Sequence, residues 1–263
     1  MLTPVLLYSG DFHCDEFLQD NVHYPALFSG KNTLYHTHNI WLNNEAQKTI
    51  LPLCQSTKSA HHKAQNNQSK PIIIFVGGFL DSIHQVVFRE FASFAIDSYA
   101  QFSTISFVAK IYTTFCCKRL FTSLLPEILA LGYTPYIIAH SWGASNVCKA
   151  LENLKGKLPF NSIPMLLTLD PVGYWRPTRE IECVEKWVNI YIADKWKYCF
   201  NPSNICTFIG HAWNECKYAN KNISIKNKHL SNMSDKSFIT SRKKPINHAS
   251  VRTMLECFNK NLS

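Results

Sequence analysis

Residues 136–144, Tyr-Ile-Ile-Ala-His-Ser-Trp-Gly-Ala, constrain the fold of this chain more than any other segment. The apolar run before Ser141 predicts a buried strand, and residues 144–155, with apolar positions at helical spacing, predict a helix. Ala139 and Gly143 stand two positions before and after the serine. Small residues are needed there because larger side chains would collide with the strand or the helix. The segment therefore predicts a sharp strand-to-helix turn that presents a serine hydroxyl as a nucleophile.

An alternation of strand and helix signals surrounds this turn. Five consecutive β-branched or aromatic residues, 72–76, precede Gly77-Gly78, which is typical of a strand buried on both faces. The order predicts an α/β fold with a mostly parallel central sheet and helices on both faces, its reactive groups at the carboxyl ends of the strands. Further strands are predicted at residues 104–112, 165–169, 187–193 and 222–225, and helices at residues 84–101, 116–131 and 249–259.

Residues 1–70 carry weaker signals. We expect them to form a segment that packs on a core made by residues 71–263. Residues 5–8 predict a strand, residues 32–41 predict an edge element, and the polar residues 55–70 predict a loop. The adjacent His61 and His62 in that loop are typical of exposed side chains, so no metal site is expected there.

The composition, with 46% apolar and 17% charged residues, indicates a globular protein. The net charge of +9 is uneven, because residues 217–263 hold ten Lys and Arg against two acids, Asp235 and Glu256. Such a region fits peripheral contact with an anionic membrane. No zinc-finger spacing or aromatic-interleaved basic helix favours nucleic acid, so no nucleic-acid partner is expected.

The ten cysteines are irregularly spaced and form no CxxC pair. The sequence shows no secretory signal, because residues 4–8 are too short for an apolar signal core, and it shows no apolar run that could span a membrane. These features predict reduced thiols and synthesis in the cytoplasm. Signal-independent secretion would leave no mark in the sequence.

A nucleophilic serine needs a base, and the base needs an acid that orients it. Two aspartates follow predicted strands. We favour Asp170, in Thr-Leu-Asp-Pro-Val-Gly, where a proline ends the strand, and Asp194 is the alternative acid. His248, at the start of the last predicted helix, is the favoured base, and His229 is the alternative.

Two further histidines and an anion site complete the candidates. His140 would point away from the reacting centre if its neighbour occupies the turn, and His211 lies in a separate loop. An acyl oxyanion needs two N–H donors. We expect one from Trp142, directly after the serine, and the other from Gly78 or Phe79, where glycine lets the backbone approach the substrate closely.

In this order the segments resemble motifs of a group of bacterial α/β-hydrolase-fold proteins, over about residues 71–258. The chain departs from those motifs at Ala139 and Ala144, and at Phe79 and Leu80, where smaller residues are usual and where these two would narrow or line an acyl pocket. The similar segments, with the motif of the group in parentheses, are residues 75–81 (FIGGAGD), 139–144 (GHSWGG), 167–172 (TLDPV), 187–191 (WINVY), 209–213 (GGxW) and 248–255, the closing histidine and helix.

The resemblance implies a lipase-like or esterase-like serine hydrolase with Ser141, Asp170 and His248 as its catalytic triad and no cofactor. The substrate would be a lipid or another acyl ester. Some proteins of the group resemble toxic phospholipase effectors of bacterial secretion systems, so a secreted phospholipase is one alternative. A non-catalytic binding protein that keeps the fold is the other.

Overall fold

The computed structural model describes residues 5–8, 35–37, 40–42, 70–79, 81, 86–93, 105, 107, 109–115, 120–130, 132–193, 202–226 and 246–262. Within these ranges the chain forms one sheet of nine strands, in the spatial order β2-β3-β1-β5-β4-β6-β7-β8-β9. The strands are β1 (Val5–Tyr8), β2 (Tyr35–Thr37), β3 (Ile40–Leu42), β4 (Lys70–Val76), β5 (Ala109–Thr113), β6 (Tyr133–His140), β7 (Ile163–Leu169), β8 (Val184–Ile192) and β9 (Lys221–Ile225). The helices are α1 (Val86–Ser93), α2 (Leu125–Ala130), α3 (Ser141–Glu152), α4 (Pro202–Ile209) and α5 (Val251–Leu262), and a π-helical turn, Leu120–Leu124, leads into α2.

Six neighbouring strands run parallel to one another, in the spatial order β5, β4, β6, β7, β8 and β9. The three strands before residue 70 extend this sheet, because β1 pairs antiparallel with β5 and carries β3 and β2 beyond it. The predicted α/β class with a mostly parallel sheet is confirmed. A parallel strand needs a crossover connection, and helices supply most of these connections here.

The alternating side chains of the strands bury both faces of the sheet. In β4, Ile72, Ile74 and Val76 face one apolar core, and Ile73 and Phe75 face the other. The first core is completed by the π-helical turn, α2 and α3, and the second by α1 and α5. Helices therefore cover both faces of the sheet, as the sequence predicts.

The strand register brings three strand ends to one level. Val76 of β4 lies beside Ala139 of β6, and His140 of β6 lies beside Leu169 of β7. Gly77, Ser141 and Asp170 are the next residues after those strands, so the backbone leaves the sheet with these three residues at the same edge.

Several predicted boundaries need correction. The strand expected at residues 104–112 runs from Ala109, which pairs with Ile72 of β4, to Thr113. Phe107 lies before this strand and packs its ring edge-on against Tyr136, with centroids 5.3 Å apart. The helix expected at residues 144–155 starts earlier, at Ser141, and ends at Glu152. Lys70 belongs to β4 rather than to the predicted loop, whose other residues, with His61 and His62, lie outside the described residues.

Helix α4 was not predicted, because it buries polar side chains and exposes apolar ones. Asn204 and Thr207 are buried, whereas Ile205 and Ile209 are exposed. Apolar periodicity marks a helix only when the apolar face is the buried one. On the buried side of α4, Asn204 accepts the backbone amide of His248, and Thr207 donates its hydroxyl to the carbonyl of Asn204.

Candidate active site

Ser141 is the first residue of α3 and follows directly on the last residue of β6. Its φ of 56° is in the left-handed region, which a residue with a side chain rarely adopts. A Cβ placed on Gly143 would lie 2.4 Å from the carbonyl oxygen of Gly77, so no larger residue fits there without a shift of backbone. The strand, sharp turn and helix predicted around this serine are confirmed, and close packing explains the glycine after it.

A buried chain of hydrogen bonds joins Ser141, His248 and Asp170. The Nε2 atom of His248 lies 2.7 Å from the Oγ atom of Ser141, and its Nδ1 atom lies 2.6 Å from Oδ2 of Asp170. An ionised carboxylate only accepts hydrogen bonds, so Nδ1 of the imidazole is the donor to it. In a neutral imidazole Nε2 then accepts the serine hydroxyl proton, which is the tautomer that a general base for this serine requires.

Both the main chain and the side chain of Asp170 are held by β8. The amide of Asp170 donates to the carbonyl of Ile190 over 2.6 Å, and its Oδ1 accepts the amide of Ile192 over 3.2 Å. The residue has a φ of 41° and is fully buried. One carboxylate oxygen is thus bound by backbone and the other faces His248, which fixes the direction of the carboxylate.

The backbone of His248 is held on both sides by side chains. Its amide donates to Oδ1 of Asn204 over 2.9 Å, and its carbonyl oxygen lies 2.8 Å from Nε2 of His140. The two imidazole rings lie 4.6 Å apart between centroids, at 33° to each other. Both contacts are with residues far away in sequence, and no local pattern marks Asn204 or His140 for this role.

The Gly77-Gly78-Phe79 loop lies directly against the serine. A Cβ on Gly78 would lie 2.6 Å from Cβ and 3.1 Å from Oγ of Ser141, so this residue must be glycine for the loop to approach so closely. Trp142 is the second residue of α3, so its backbone N–H has no carbonyl acceptor within the helix. The backbone segments of the predicted N–H donors, Trp142 and Gly78 or Phe79, therefore adjoin the serine hydroxyl.

Asp81 links the Gly77-Gly78-Phe79 loop to α1 and β5. Its buried carboxyl accepts the amides of Val87 and Phe88 over 2.8 and 3.2 Å, and the hydroxyl of Tyr112 over 2.6 Å. It thereby caps α1, because these amides belong to the first turn of the helix. A Cβ on Gly77 would lie 2.5 Å from this carboxyl, so the glycine pair packs directly on it. Burial raises the pKa of Asp81, and the hydrogen bonds partly oppose that rise.

This raised pKa predicts a pH dependence of stability. A carboxyl whose pKa is higher in the folded protein binds its proton more tightly there, so its contribution to stability is present at low pH and is lost as the pH rises through the raised pKa. We expect wild type to lose stability relative to Asp81→Asn as the pH rises from about 4. Urea unfolding midpoints from acid to neutral pH measure this difference, with Glu180→Gln, at an exposed carboxyl, as control. A difference that stays constant with pH would contradict it.

Of the remaining candidates, His211 lies among the described residues, and it is not joined to this cluster. His211 is exposed, and its ring packs against Tyr174 with centroids 4.4 Å apart. The alternative acid, Asp194, and the alternative base, His229, lie outside the described residues, as do residues 227–245 of the basic region.

Burial raises the pKa of the Cys183 thiol to about 11, which disfavours the reactive thiolate.

Where the structure is described, no group of three or more His, Cys, Asp or Glu side chains is arranged to hold a metal ion. In the same parts of the chain, no helix combines the length and apolar character needed to cross a membrane. No protein-family model matches this sequence, and a comparison with curated proteins finds no match either. The geometry around Ser141 is therefore the main indication of what this chain does.

Proposed function

We propose that this protein is a serine hydrolase with an α/β-hydrolase fold that cleaves carboxylic esters of lipids or of other acyl compounds. The observation that carries the proposal is the buried chain from Ser141 through His248 to Asp170, with contacts of 2.7 and 2.6 Å. Two features support it further. The three residues follow the order serine, acid, histidine along the chain, and the serine has a left-handed backbone at a strand-to-helix turn.

In the proposed reaction, Ser141 Oγ attacks the acyl carbon while His248 Nε2 takes the hydroxyl proton. Asp170 holds the ring in the required tautomer and stabilises the imidazolium. The amides of Trp142 and of Gly78 or Phe79 stabilise the oxyanion. Proton transfer from His248 to the leaving oxygen releases the alcohol and leaves an acyl-enzyme. Water, deprotonated by the same imidazole, then attacks the acyl carbon, and the carboxylic acid leaves as Ser141 recovers its proton.

Burial of the three side chains supports this chemistry. Ser141, His248 and Asp170 are 3%, 6% and 0% exposed. Charges that develop in such a place are weakly screened, so the imidazolium formed during attack gains more from a fixed carboxylate than it would in water. The carboxylate is already hydrogen-bonded to backbone, so it needs no rearrangement when that charge appears.

Labelling with a fluorophosphonate probe tests the proposal directly. We expect one covalent adduct on wild type, mapped by mass spectrometry to Ser141, and hydrolysis of p-nitrophenyl butyrate that the adduct abolishes. Ser141→Ala is the control for labelling at other sites. No adduct and no ester hydrolysis by a folded protein would oppose the proposal and favour a non-catalytic binding protein with this architecture.

The choice of acid predicts a large difference between two aspartate variants. Asp170→Asn is expected to lower kcat by about 10⁴-fold, because the amide group would face Nδ1 of His248 and favour the wrong tautomer. Asp194→Asn is expected to keep near wild-type kcat, since Asp170 already makes the hydrogen bond to His248. Steady-state kinetics on one ester compares the two variants. A larger loss in Asp194→Asn would identify that residue as the acid instead.

A further inference from the structure

Three aromatic side chains form a cluster beside Ser141. Phe79, Phe115 and Trp142 follow the carboxyl ends of β4, β5 and β6, which are neighbours in the sheet. The ring of Phe79 contacts both others, with centroids 5.4 Å from the ring of Phe115 and 5.4 Å from that of Trp142. The third pair, Phe115 and Trp142, has centroids 6.4 Å apart in an edge-on arrangement. We call these three rings the aromatic triangle.

We propose that the aromatic triangle binds the apolar acyl chain of the substrate and makes the enzyme select esters of longer acids over acetates. This inference rests on the proposed function. It adds a substrate class, esters of medium or long alkyl acids, and names the side chains that select it.

The position of the aromatic triangle relative to the serine carries this inference. Trp142 is the residue after Ser141, and Phe79 is the residue after Gly78, whose backbone lies against the serine hydroxyl. Two of the three rings thus extend from the backbone segments that would hold the acyl oxyanion. A chain attached to the acyl carbon leaves the reacting centre next to these rings.

The exposure of the rings fits a binding surface. Phe79 is 47% exposed, whereas Phe115 and Trp142, which support it from two sides, are partly buried. Edge-on and tilted ring pairs at these distances are favourable, so two ring contacts hold Phe79 in place while about half of its surface stays exposed. Each methylene group that such a surface removes from water strengthens binding by about fourfold. An alkyl chain lying on the rings therefore raises kcat/KM with its length.

The chain also offers a matched control at the opposite, amino-terminal ends of the parallel strands. Phe160 is 75% exposed but lies in the loop before β7, near the amino ends of the parallel strands. Replacing Phe160 with alanine removes more exposed aromatic surface than replacing Phe79 does, and it leaves the surroundings of Ser141 unchanged.

The test compares kcat/KM for p-nitrophenyl acetate, butyrate and octanoate, each below its micellar concentration, in wild type, Phe79→Ala, Phe115→Ala and Phe160→Ala. We expect kcat/KM of wild type to rise with chain length. The octanoate-to-acetate ratio should fall about tenfold in Phe79→Ala and Phe115→Ala and stay unchanged in Phe160→Ala. Thermal unfolding shows whether each variant is folded. If Phe115→Ala does not fold, Phe79→Ala, at a half-exposed position, decides the outcome.

Three results would overturn the inference: a flat chain-length profile in wild type, an unchanged ratio in Phe79→Ala, or an equal fall of the ratio in Phe160→Ala. Hydrolysis of the acetate ester that depends on Ser141 would in each case leave the proposed function standing. Absence of all ester hydrolysis and of fluorophosphonate labelling would instead remove the proposed function, and this inference with it.

Discussion

Replacing Ser141 with alanine is expected to lower kcat for p-nitrophenyl esters by about 10⁴-fold or more, because the change removes the atom that attacks the acyl carbon. The fold should persist. The left-handed backbone at this position carries similar strain with serine and alanine, and the variant loses only the hydrogen bond to Nε2 of His248. Steady-state hydrolysis, measured together with thermal unfolding, separates loss of chemistry from loss of structure.

Ser145→Ala is the matched control for this variant. Ser145 lies one turn further along α3, is also buried, and donates its hydroxyl to the carbonyl of Trp175 over 3.1 Å. Its replacement removes a buried serine hydroxyl from the same helix without touching His248. We expect this variant to keep kcat within about threefold of wild type, at a stability cost of about 1 kcal/mol. Wild-type activity in Ser141→Ala would refute the proposed mechanism.

Replacing His248 with alanine is expected to cause a loss of kcat as large as that of Ser141→Ala, on the order of 10⁴-fold or more. Without the imidazole, nothing takes the hydroxyl proton during attack or returns a proton to the leaving oxygen. A serine without its base is also a poor nucleophile towards fluorophosphonates, so the rate of labelling should fall in parallel. Ester hydrolysis and fluorophosphonate labelling quenched at successive times, on the same preparation, measure the loss of kcat and the fall of the labelling rate.

His229→Ala distinguishes the proposed base from the alternative. We expect this variant to retain near wild-type kcat and labelling rate, since the hydrogen bond to Ser141 comes from His248. A combined variant should then be no slower than His248→Ala alone. A large loss in His229→Ala together with activity in His248→Ala would reverse the assignment of the base.

Much of the sheet could be predicted because several of its strands contain apolar runs. The carboxyl-terminal parts of β4, β6, β7 and β8 are buried on both faces, so most residues in those parts are apolar. The polar residue that follows such a run stands out. Asp170 follows such a run directly, whereas Ser141 comes after His140 and is marked by the small residues Ala139 and Gly143 on either side.

Other contacts of the site had no local signal. Asn204 lies on a helix whose buried side is polar, so its pattern indicated no helix, and its bond to the amide of His248 spans 44 residues. The bond between His140 and the carbonyl of His248 spans 108 residues. The sequence analysis gave Asp81 no role, although its carboxyl caps α1 and packs against the glycine loop. Each of these roles depends on which segments meet in space.

The sequence by itself determined that strands and helices alternate and that a serine between small residues stands at a strand-to-helix turn. These features follow from local rules: apolar periodicity selects the elements, and the space around a sharp turn selects the residues beside the serine. Only the tertiary structure decided that Asp170 and His248 meet Ser141 in one hydrogen-bonded chain, and that Phe79, Phe115 and Trp142 come together beside it. Strand order and register bring distant segments to one edge of the sheet, and no local pattern records which segments those will be.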